Sequence, residues 1–174
     1  MSRFAARAAA DRLIERFGIT TAPIDVHDVA RLLGLRIVSE NLGSEVSALL
    51  VTEGNTSVIG VNKTHPRKRQ RFSIAHEIGH HVMRHQFVAG EHVHVDRGSY
   101  ISERGTRAAA GIDPKEVEAN QFAASLLMPT RLVREHVDRI GYLPLDENDV
   151  KGLARDFDVS EQAMTIRLSV LGYV

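Results

Sequence analysis

The chain has 174 residues, of which 43% are hydrophobic and 25% are charged, so it is neither a wholly disordered nor a fibrous protein. Its 22 Lys and Arg residues balance 22 Asp and Glu residues, which removes the electrostatic reason to expect nucleic acid or an anionic membrane as the main partner. Because the chain contains no cysteine, disulfides and thiolate zinc fingers are excluded, and any metal must take nitrogen and oxygen ligands.

The first third of the chain predicts two helices followed by a small antiparallel sheet. An amphipathic helix is predicted over residues 2–17, and a second helix follows Pro23 and ends at Gly34. Strands are predicted over residues 35–38, 46–52 and 57–62. The last two strands flank a short glycine-containing turn, which is typical of a β-hairpin.

The rest of the chain is predicted to be mostly helical. Pro66 opens a long helix that runs to about residue 85. Residues 87–112 then show little periodicity, which is typical of a functional or partly disordered connection. Further helices are predicted from Asp113 to Pro129 and over residues 130–140. A sheet early in the chain and helices afterwards indicate an α+β fold.

The C-terminal residues 145–174 have the spacing of a helix-turn-helix, with two short helices around Asp158, Val159 and Ser160. This segment carries six acidic and three basic residues, whereas a DNA-reading element should be basic. Direct DNA binding is therefore disfavoured, and a packing or partner-docking role is favoured. We predict one domain over residues 1–144 and a small helix-turn-helix-like module over residues 145–174.

Five cations cluster where the long helix begins: Lys63, Arg67, Lys68, Arg69 and Arg71. Cations at a helix N-terminus oppose the helix dipole, so helix stability does not explain them. The favoured interpretation is a solvated face whose charges pair with local acids. The alternative is contact with an acidic or DNA-bound substrate.

The long helix contains the HExxH pattern at residues 76–80. His76 and His80 are four residues apart, so both imidazoles leave the same face and can bind one ion. Glu77 projects about 100° around the helix, where it can act as a general base on water without being a ligand. Gly79, inside the helix, indicates the close approach of another element. The alternative to a metal site is a solvated, histidine-rich helix face.

A third ligand has to come from another element, and Glu116 is the best candidate. On the helix from Asp113, Glu116 shares an apolar stripe with Asn120, whereas Glu118 is predicted to face solvent. A carboxylate on a core-facing stripe needs a strong partner, and a divalent cation is one. Asn120 is a candidate to orient a ligand. The alternative role of Glu116 is a capping pair with Asp113.

A residue that stabilises an oxyanion opposite the metal is not singled out by the pattern. The candidates are His81, His85, His92, His94 and Tyr100. We select Tyr100 as the catalytic candidate, because a tyrosine on the connection 87–112 can fold over the site.

Two segments, RFSIAHEIGHHVM and EVEANQFAASLLMP, together resemble the ImmA/IrrE family of bacterial metallopeptidases over about residues 20–130. The resemblance implies a zincin-like, gluzincin-type fold in which His76, His80 and Glu116 bind the metal and Glu77 is the base. It also implies a substrate class, namely helix-turn-helix transcriptional repressors whose cleavage releases a stress or mobile-element regulon. Zn²⁺ suits these ligands, and Mn²⁺ also fits.

The function predicted from these signals is a cytoplasmic, site-specific metallo-endopeptidase. No apolar run is long enough to span a bilayer, so no membrane partner is expected. A substrate strand is expected to pair with the strand over residues 57–62, if that strand lies at the sheet edge. The alternative is a regulatory protein-binding or DNA-binding module with a structural metal, which would leave Glu77 without a role.

Overall fold

Seven helices and four strands make up the part of the chain that the computed structural model describes, residues 3–85, 93–96 and 113–174. The helices are α1 (Arg3–Arg16), α2 (Val26–Leu32), α3 (Arg67–Val82), α4 (Pro114–Leu127), α5 (Thr130–Ile140), α6 (Glu147–Asp156) and α7 (Glu161–Leu171). The strands are β1 (Leu35–Glu40), β2 (Ala48–Glu53), β3 (Thr56–Asn62) and β4 (Val93–Asp96). The predicted α+β class is confirmed.

The sheet is mixed, so the prediction of an antiparallel sheet was wrong for its first strand. The strand order is β1-β3-β2-β4. The hairpin of β2 and β3 is antiparallel as predicted, and β4 is antiparallel to β2. β1 instead runs parallel to β3, with Leu35 opposite Ser57. The connection over residues 41–47 carries the chain past the position of β3, and this crossing makes the two strands run in the same direction.

β3 lies inside the sheet, between β1 and β2, so its backbone is already paired on both sides. The expectation that a substrate pairs with the strand over residues 57–62 was therefore wrong. Of the four strands that the structure describes, β1 and β4 are at the edges. β4 falls within the connection predicted over residues 87–112, and its four residues are too few for an alternating pattern to register.

Helix α3 is the centre of the packing. It contacts α4, α1, α2 and the strands β2 and β3. Ile74, Ala75 and Ile78 supply its buried apolar face. A Cβ atom added at Gly79 would lie 3.0 Å from Cδ1 and 3.2 Å from Cβ of Phe122 on α4. The close approach predicted from this glycine is therefore the contact between α3 and α4.

Helices α6 and α7 share the main core rather than packing only on each other. Leu153, Phe157 and Leu168 belong to the same buried cluster as Ile78 and Phe122. The division at residue 144 stays a prediction. Among residues 3–85, 93–96 and 113–174, no helix is both long and apolar enough to cross a membrane.

Some residues of the basic cluster at the start of α3 bind other parts of the fold. Arg71 is buried, donates from Nη2 to the Ile24 carbonyl at 2.9 Å, and pairs through Nε with the Asp158 carboxylate at 3.2 Å. Arg67 pairs with the same carboxylate at 3.0 Å. Arg69 donates to the Ser47 hydroxyl. The predicted pairing with an acid holds for Arg67 and Arg71, but the predicted solvated face does not hold for Arg71, which is buried. The shared partner Asp158 ties the turn between α6 and α7 to α3.

The packing at Gly79 generates a prediction with a matched control. Gly79→Ala should lower the free energy of unfolding by about 1–3 kcal/mol, because the new methyl group overlaps the Phe122 side chain close to its backbone. Gly152 lies inside α6 with open space around it, so Gly152→Ala should raise stability by up to about 1 kcal/mol through helix propensity. Denaturant unfolding of both variants measures this. Equal stabilisation by both substitutions would contradict the close contact between α3 and α4.

Candidate metal centre

Three elements bring four possible metal ligands together. α3 contributes His76 and His80, β4 contributes His94, and α4 contributes Glu116, and one donor atom of each lies within 4.8 Å of all the others. The three histidines are buried, and the Glu116 side chain is 22% exposed. The group therefore comprises the three predicted ligands and one additional histidine.

The separations in this group suit a single small cation. His76 Nε2 lies 2.9 Å from His80 Nε2 and 3.2 Å from a Glu116 carboxylate oxygen. The other Glu116 oxygen lies 3.3 Å from His80 Nε2 and 3.0 Å from His94 Nε2. Donors that bind one Zn²⁺ at about 2.0–2.1 Å in a tetrahedron lie roughly 3.3 Å apart. The nitrogen and oxygen donors present therefore fit a divalent ion such as Zn²⁺.

In each of the three imidazoles, the ring nitrogen Nδ1 contacts another side chain outside the group. His76 Nδ1 lies 3.0 Å from the Asn120 side-chain oxygen, the contact expected of a residue that orients a ligand. His94 Nδ1 lies 3.0 Å from a Glu77 oxygen, and His80 Nδ1 lies 3.0 Å from His85 Nδ1. In all three rings, Nε2 is consequently the nitrogen that faces the centre of the group.

A chain of hydrogen bonds sets the proton position on His80. His85 Nε2 lies 3.2 Å from a Glu118 oxygen, and an ionised carboxylate can only accept, so this nitrogen donates. Burial lowers the pKa of His85, so the ring is neutral and its Nδ1 is an acceptor. His80 Nδ1 must then donate to His85, so His80 Nε2 is the ring nitrogen that carries the lone pair with which a metal can be bound.

The prediction that Glu118 faces solvent was wrong. Glu118 is 5% exposed and Ser125, assigned to the same face, is fully buried. The reason is that α4 packs against both α3 and α1, so a second side of the helix is covered. A single apolar stripe does not reveal this second contact.

The charges of the site favour a positive charge at its centre. Burial acts to raise the pKa of Glu116, but its close contacts with the rings of His76, His80 and His94 hold it well below its ordinary value. Burial acts to lower the pKa of His94, but hydrogen bonds to Glu116 and Glu77 raise it to about 10. Burial lowers the pKa of His80 to about 4, so that ring is neutral and can bind a metal. A divalent cation would supply the charge that these carboxylates attract.

Glu77 lies beside the metal-binding group and is completely buried. Both of its carboxylate oxygens lie within hydrogen-bond distance of His94 Nδ1, at 3.0 and 3.2 Å. Burial raises the pKa of Glu77 above its ordinary value. A carboxyl group with a raised pKa beside a metal-binding group is chemically suited to accept and return a proton.

The structure brings together four of the five predicted site residues: His76, Glu77, His80 and Glu116. Tyr100, the fifth, lies outside the described residues, so its role stays a prediction. His94 was only one of five oxyanion candidates and was not predicted as a ligand. Val93, His94, Val95 and Asp96 do alternate between exposed and buried positions, but an alternation over four residues is too short to predict a strand.

Comparison with known proteins places the chain in a family of metallopeptidases. Residues 30–169 match the model of Peptidase_M78, the IrrE N-terminal-like domain, and the chain belongs to this family. The resemblance to the ImmA/IrrE family is thereby confirmed.

Two known proteins illustrate the relationship. The chain is 26% identical over 130 residues to "Uncharacterized immunity region protein 2" of Bacillus phage phi105, which covers 75% of this chain and 72% of the phage protein. It also resembles the solved structure of a Mycobacterium tuberculosis transcriptional regulator, with a TM-score of 0.62 and 22% identity over 95% of this chain. The chain spans 46% of the length of that regulator, so this similarity shows the shared fold alone.

The hydrogen-bond chain through His85 predicts graded effects on metal affinity. Glu116→Ala should weaken metal binding by more than about 100-fold, because a ligand is lost, and Glu118→Ala by about 10–100-fold, because His80 is no longer oriented. Glu118→Gln should retain most of the affinity, since its amide oxygen still accepts from His85. Competition with a chromogenic chelator measures all three. If Glu116→Ala binds metal as tightly as the parent, the wrong glutamate has been assigned.

Proposed function

We propose that the chain is a metal-dependent, site-specific endopeptidase that cleaves a helix-turn-helix transcriptional repressor and so relieves repression. The observation that carries the proposal is the completely buried carboxylate of Glu77 beside a group of metal-binding side chains. Membership of a metallopeptidase family supports the reaction class.

His76, His80 and Glu116 would hold the ion, and Zn²⁺ is proposed, with Mn²⁺ as the alternative. When bound, such an ion supplies Lewis acidity, which lowers the pKa of water and polarises a peptide carbonyl. Asn120 and the His85–Glu118 pair would keep the two helix α3 imidazoles in the ligating orientation.

Glu77 would carry the proton in this hydrolysis. A carboxylate oxygen of Glu77 takes one proton from water as the water oxygen forms a bond to the peptide carbon. The same oxygen then gives that proton to the amide nitrogen as the C–N bond breaks, so the products are a carboxylic acid and an amine. The raised pKa of Glu77, which burial causes, brings its proton affinity closer to neutral pH.

The substrate would bind as an extended strand along β4. Among the described residues, β4 pairs with β2 on one side only, so its other backbone edge is open to a strand. Val93 and Val95 are 42% and 39% exposed on this strand. A peptide paired with this edge of β4 would run past His94, whose ring contacts Glu77.

A repressor is proposed as the substrate because of the family and because the phage relative is named for an immunity region. A cytoplasmic location, without a membrane partner, accords with such a target. Direct DNA binding by the chain is disfavoured further by α7. Its one basic residue, Arg167, is buried and donates to the Met128 carbonyl at 2.9 Å, so the exposed face of α7 carries no cation.

A second candidate function is a regulatory binding module with a structural metal. The observation that favours it is the presence of four protein donors, because structural zinc sites are closed whereas catalytic sites keep an open position. A structural site has no use for a buried carboxylate such as Glu77, which costs free energy to bury. The two functions are separated by the experiments below.

Glu77→Gln should abolish hydrolysis, with a rate loss of at least about 100-fold, while metal content and fold are retained, because Glu77 acts as a base and not as a ligand. Cleavage assays, elemental analysis and circular dichroism of the purified variant test this. Glu53→Gln, on the exposed hairpin, is the control. Full activity of Glu77→Gln would rule out its catalytic role.

Cleavage should be selective for a cognate repressor. Co-expression with the helix-turn-helix repressors encoded near its gene should produce one or a few defined fragments with the parent protein and none with Glu77→Gln. Casein should be cut slowly or not at all, because a bound strand has to match β4. Rapid, unselective degradation of casein would contradict selectivity, and intact repressors under every inducing condition would contradict the proposed substrate class.

A further inference from the structure

We propose that His94 is a fourth protein ligand of the metal, and that β4 thereby keeps the site closed until a strand that pairs with β4 displaces it. This inference rests on the proposed function, since a closed state matters only in a site that otherwise hydrolyses peptides. It assigns to one side chain both a place in the metal site and control over access to it.

The position of His94 is that of a ligand. Its Nε2 lies 3.0 Å from the Glu116 oxygen that also contacts His80, and the His80 and His94 ring centroids are 4.1 Å apart. The residue is buried. His94 and His80 therefore direct the same ring nitrogen, Nε2, toward the same Glu116 oxygen.

The outer contact of His94 supports the same role. Metal-binding histidines donate the second ring N–H to a carboxylate or another acceptor, which orients the ring. His76 does this with Asn120, His80 with His85, and His94 with Glu77. His94 therefore has both halves of the arrangement that its two neighbours on α3 have.

This arrangement disables catalysis in two ways. First, four protein donors complete a tetrahedral site and leave no position for water or substrate. Second, both Glu77 oxygens lie within 3.2 Å of His94 Nδ1, so the carboxylate is engaged by His94 instead of by a water molecule. Withdrawal of one side chain would reverse both effects.

Of the four proposed ligands, His94 is the one that lies on a strand and not on a helix. His76, His80 and Glu116 lie on helices packed in the main core. β4 has four residues and pairs only with β2 among the described strands, with Asp96 as an anchor through its carbonyl to the Ser47 N–H at 2.7 Å. A peptide that pairs with the open edge of β4 acts directly on the strand that carries His94.

Two other roles for His94 predict different behaviour. As an oxyanion-stabilising residue, it would remain outside the metal coordination, and its removal would slow cleavage without changing the ligand count. If the metal is purely structural, His94 would still appear in the measured ligand count, but its removal would not produce hydrolytic activity.

X-ray absorption of the zinc-loaded full chain counts the imidazoles without reference to activity. The parent protein should show three imidazoles and an oxygen donor on the zinc, and His94→Ala should show two imidazoles. In competition with a chelator, His94→Ala should bind zinc about 10-fold or more weakly than the parent. Val95→Ala on the same strand and His81→Ala on α3 should match the parent. The parent measurement decides the ligand assignment even if His94→Ala folds poorly.

Cleavage of labelled casein tests the closure. His94→Ala should cut casein at least about tenfold faster than the parent at saturating zinc, which is a change of about 1.4 kcal/mol in the barrier. The double variant His94→Ala/Glu77→Gln should show no gain, because the new activity must come from this site.

The outcomes are separable. Three imidazoles in the parent together with the gain in His94→Ala support the proposal. Two imidazoles in the parent overturn it, even if a repressor is cleaved, in which case the proposed function survives. Three imidazoles with no gain or slower cleavage in His94→Ala overturn the closure. If no variant cleaves casein or any repressor, the proposed function itself fails.

Discussion

The contact between helices α3 and α4 at Gly79 determines most of what this molecule can do. Phe122 packs against the glycine so closely that an added Cβ would lie 3.0 Å from the ring, and this closeness brings α4 within reach of both α3 histidines. Glu116, Asn120 and Glu118 all lie on α4, on its two covered sides. The distance between α3 and α4 therefore sets the positions of three groups. They are the Glu116 carboxylate beside His76, the Asn120 amide that contacts His76, and the Glu118 carboxylate that contacts His85.

That packing has an electrostatic consequence. Helices α3 and α4 together bury the Glu77 and Glu118 carboxylates, and the Glu116 carboxylate is surrounded by two imidazoles from α3 and by His94 from β4. Buried carboxylates are costly unless a positive charge or sufficient donors compensate them. Protons on histidine can supply that charge, and a divalent ion supplies it more completely. Metal binding and the stability of the fold are therefore linked, because an ion that binds only the folded state stabilises it.

The residues on long helices were predictable, and those that depend on tertiary pairing were not. His76, Glu77 and His80 followed from the HExxH spacing on a long predicted helix, and Glu116 followed from its place on an apolar stripe of the next one. The direction of β1 depends on the path of the chain over residues 41–47, and no local pattern encodes that path. β4 is too short to be recognised, so His94 was not identified as a ligand. Glu118 was misassigned because a helix covered on two sides leaves no simple polar face.

The closed state that His94 is proposed to maintain would also affect which peptides are cleaved. If it occupies the fourth coordination position, a peptide gains access only by displacing it, and the free energy for displacement has to come from contacts that the closed state lacks. Backbone pairing along β4 is such a contact, because it forms only with an extended segment of suitable length. A closed state favoured by about 99 to 1 would reduce the apparent affinity of any peptide about 100-fold, unless that peptide also stabilises the open state. Selectivity would then arise from the same side chain that suppresses indiscriminate cleavage, without a separate inhibitory domain.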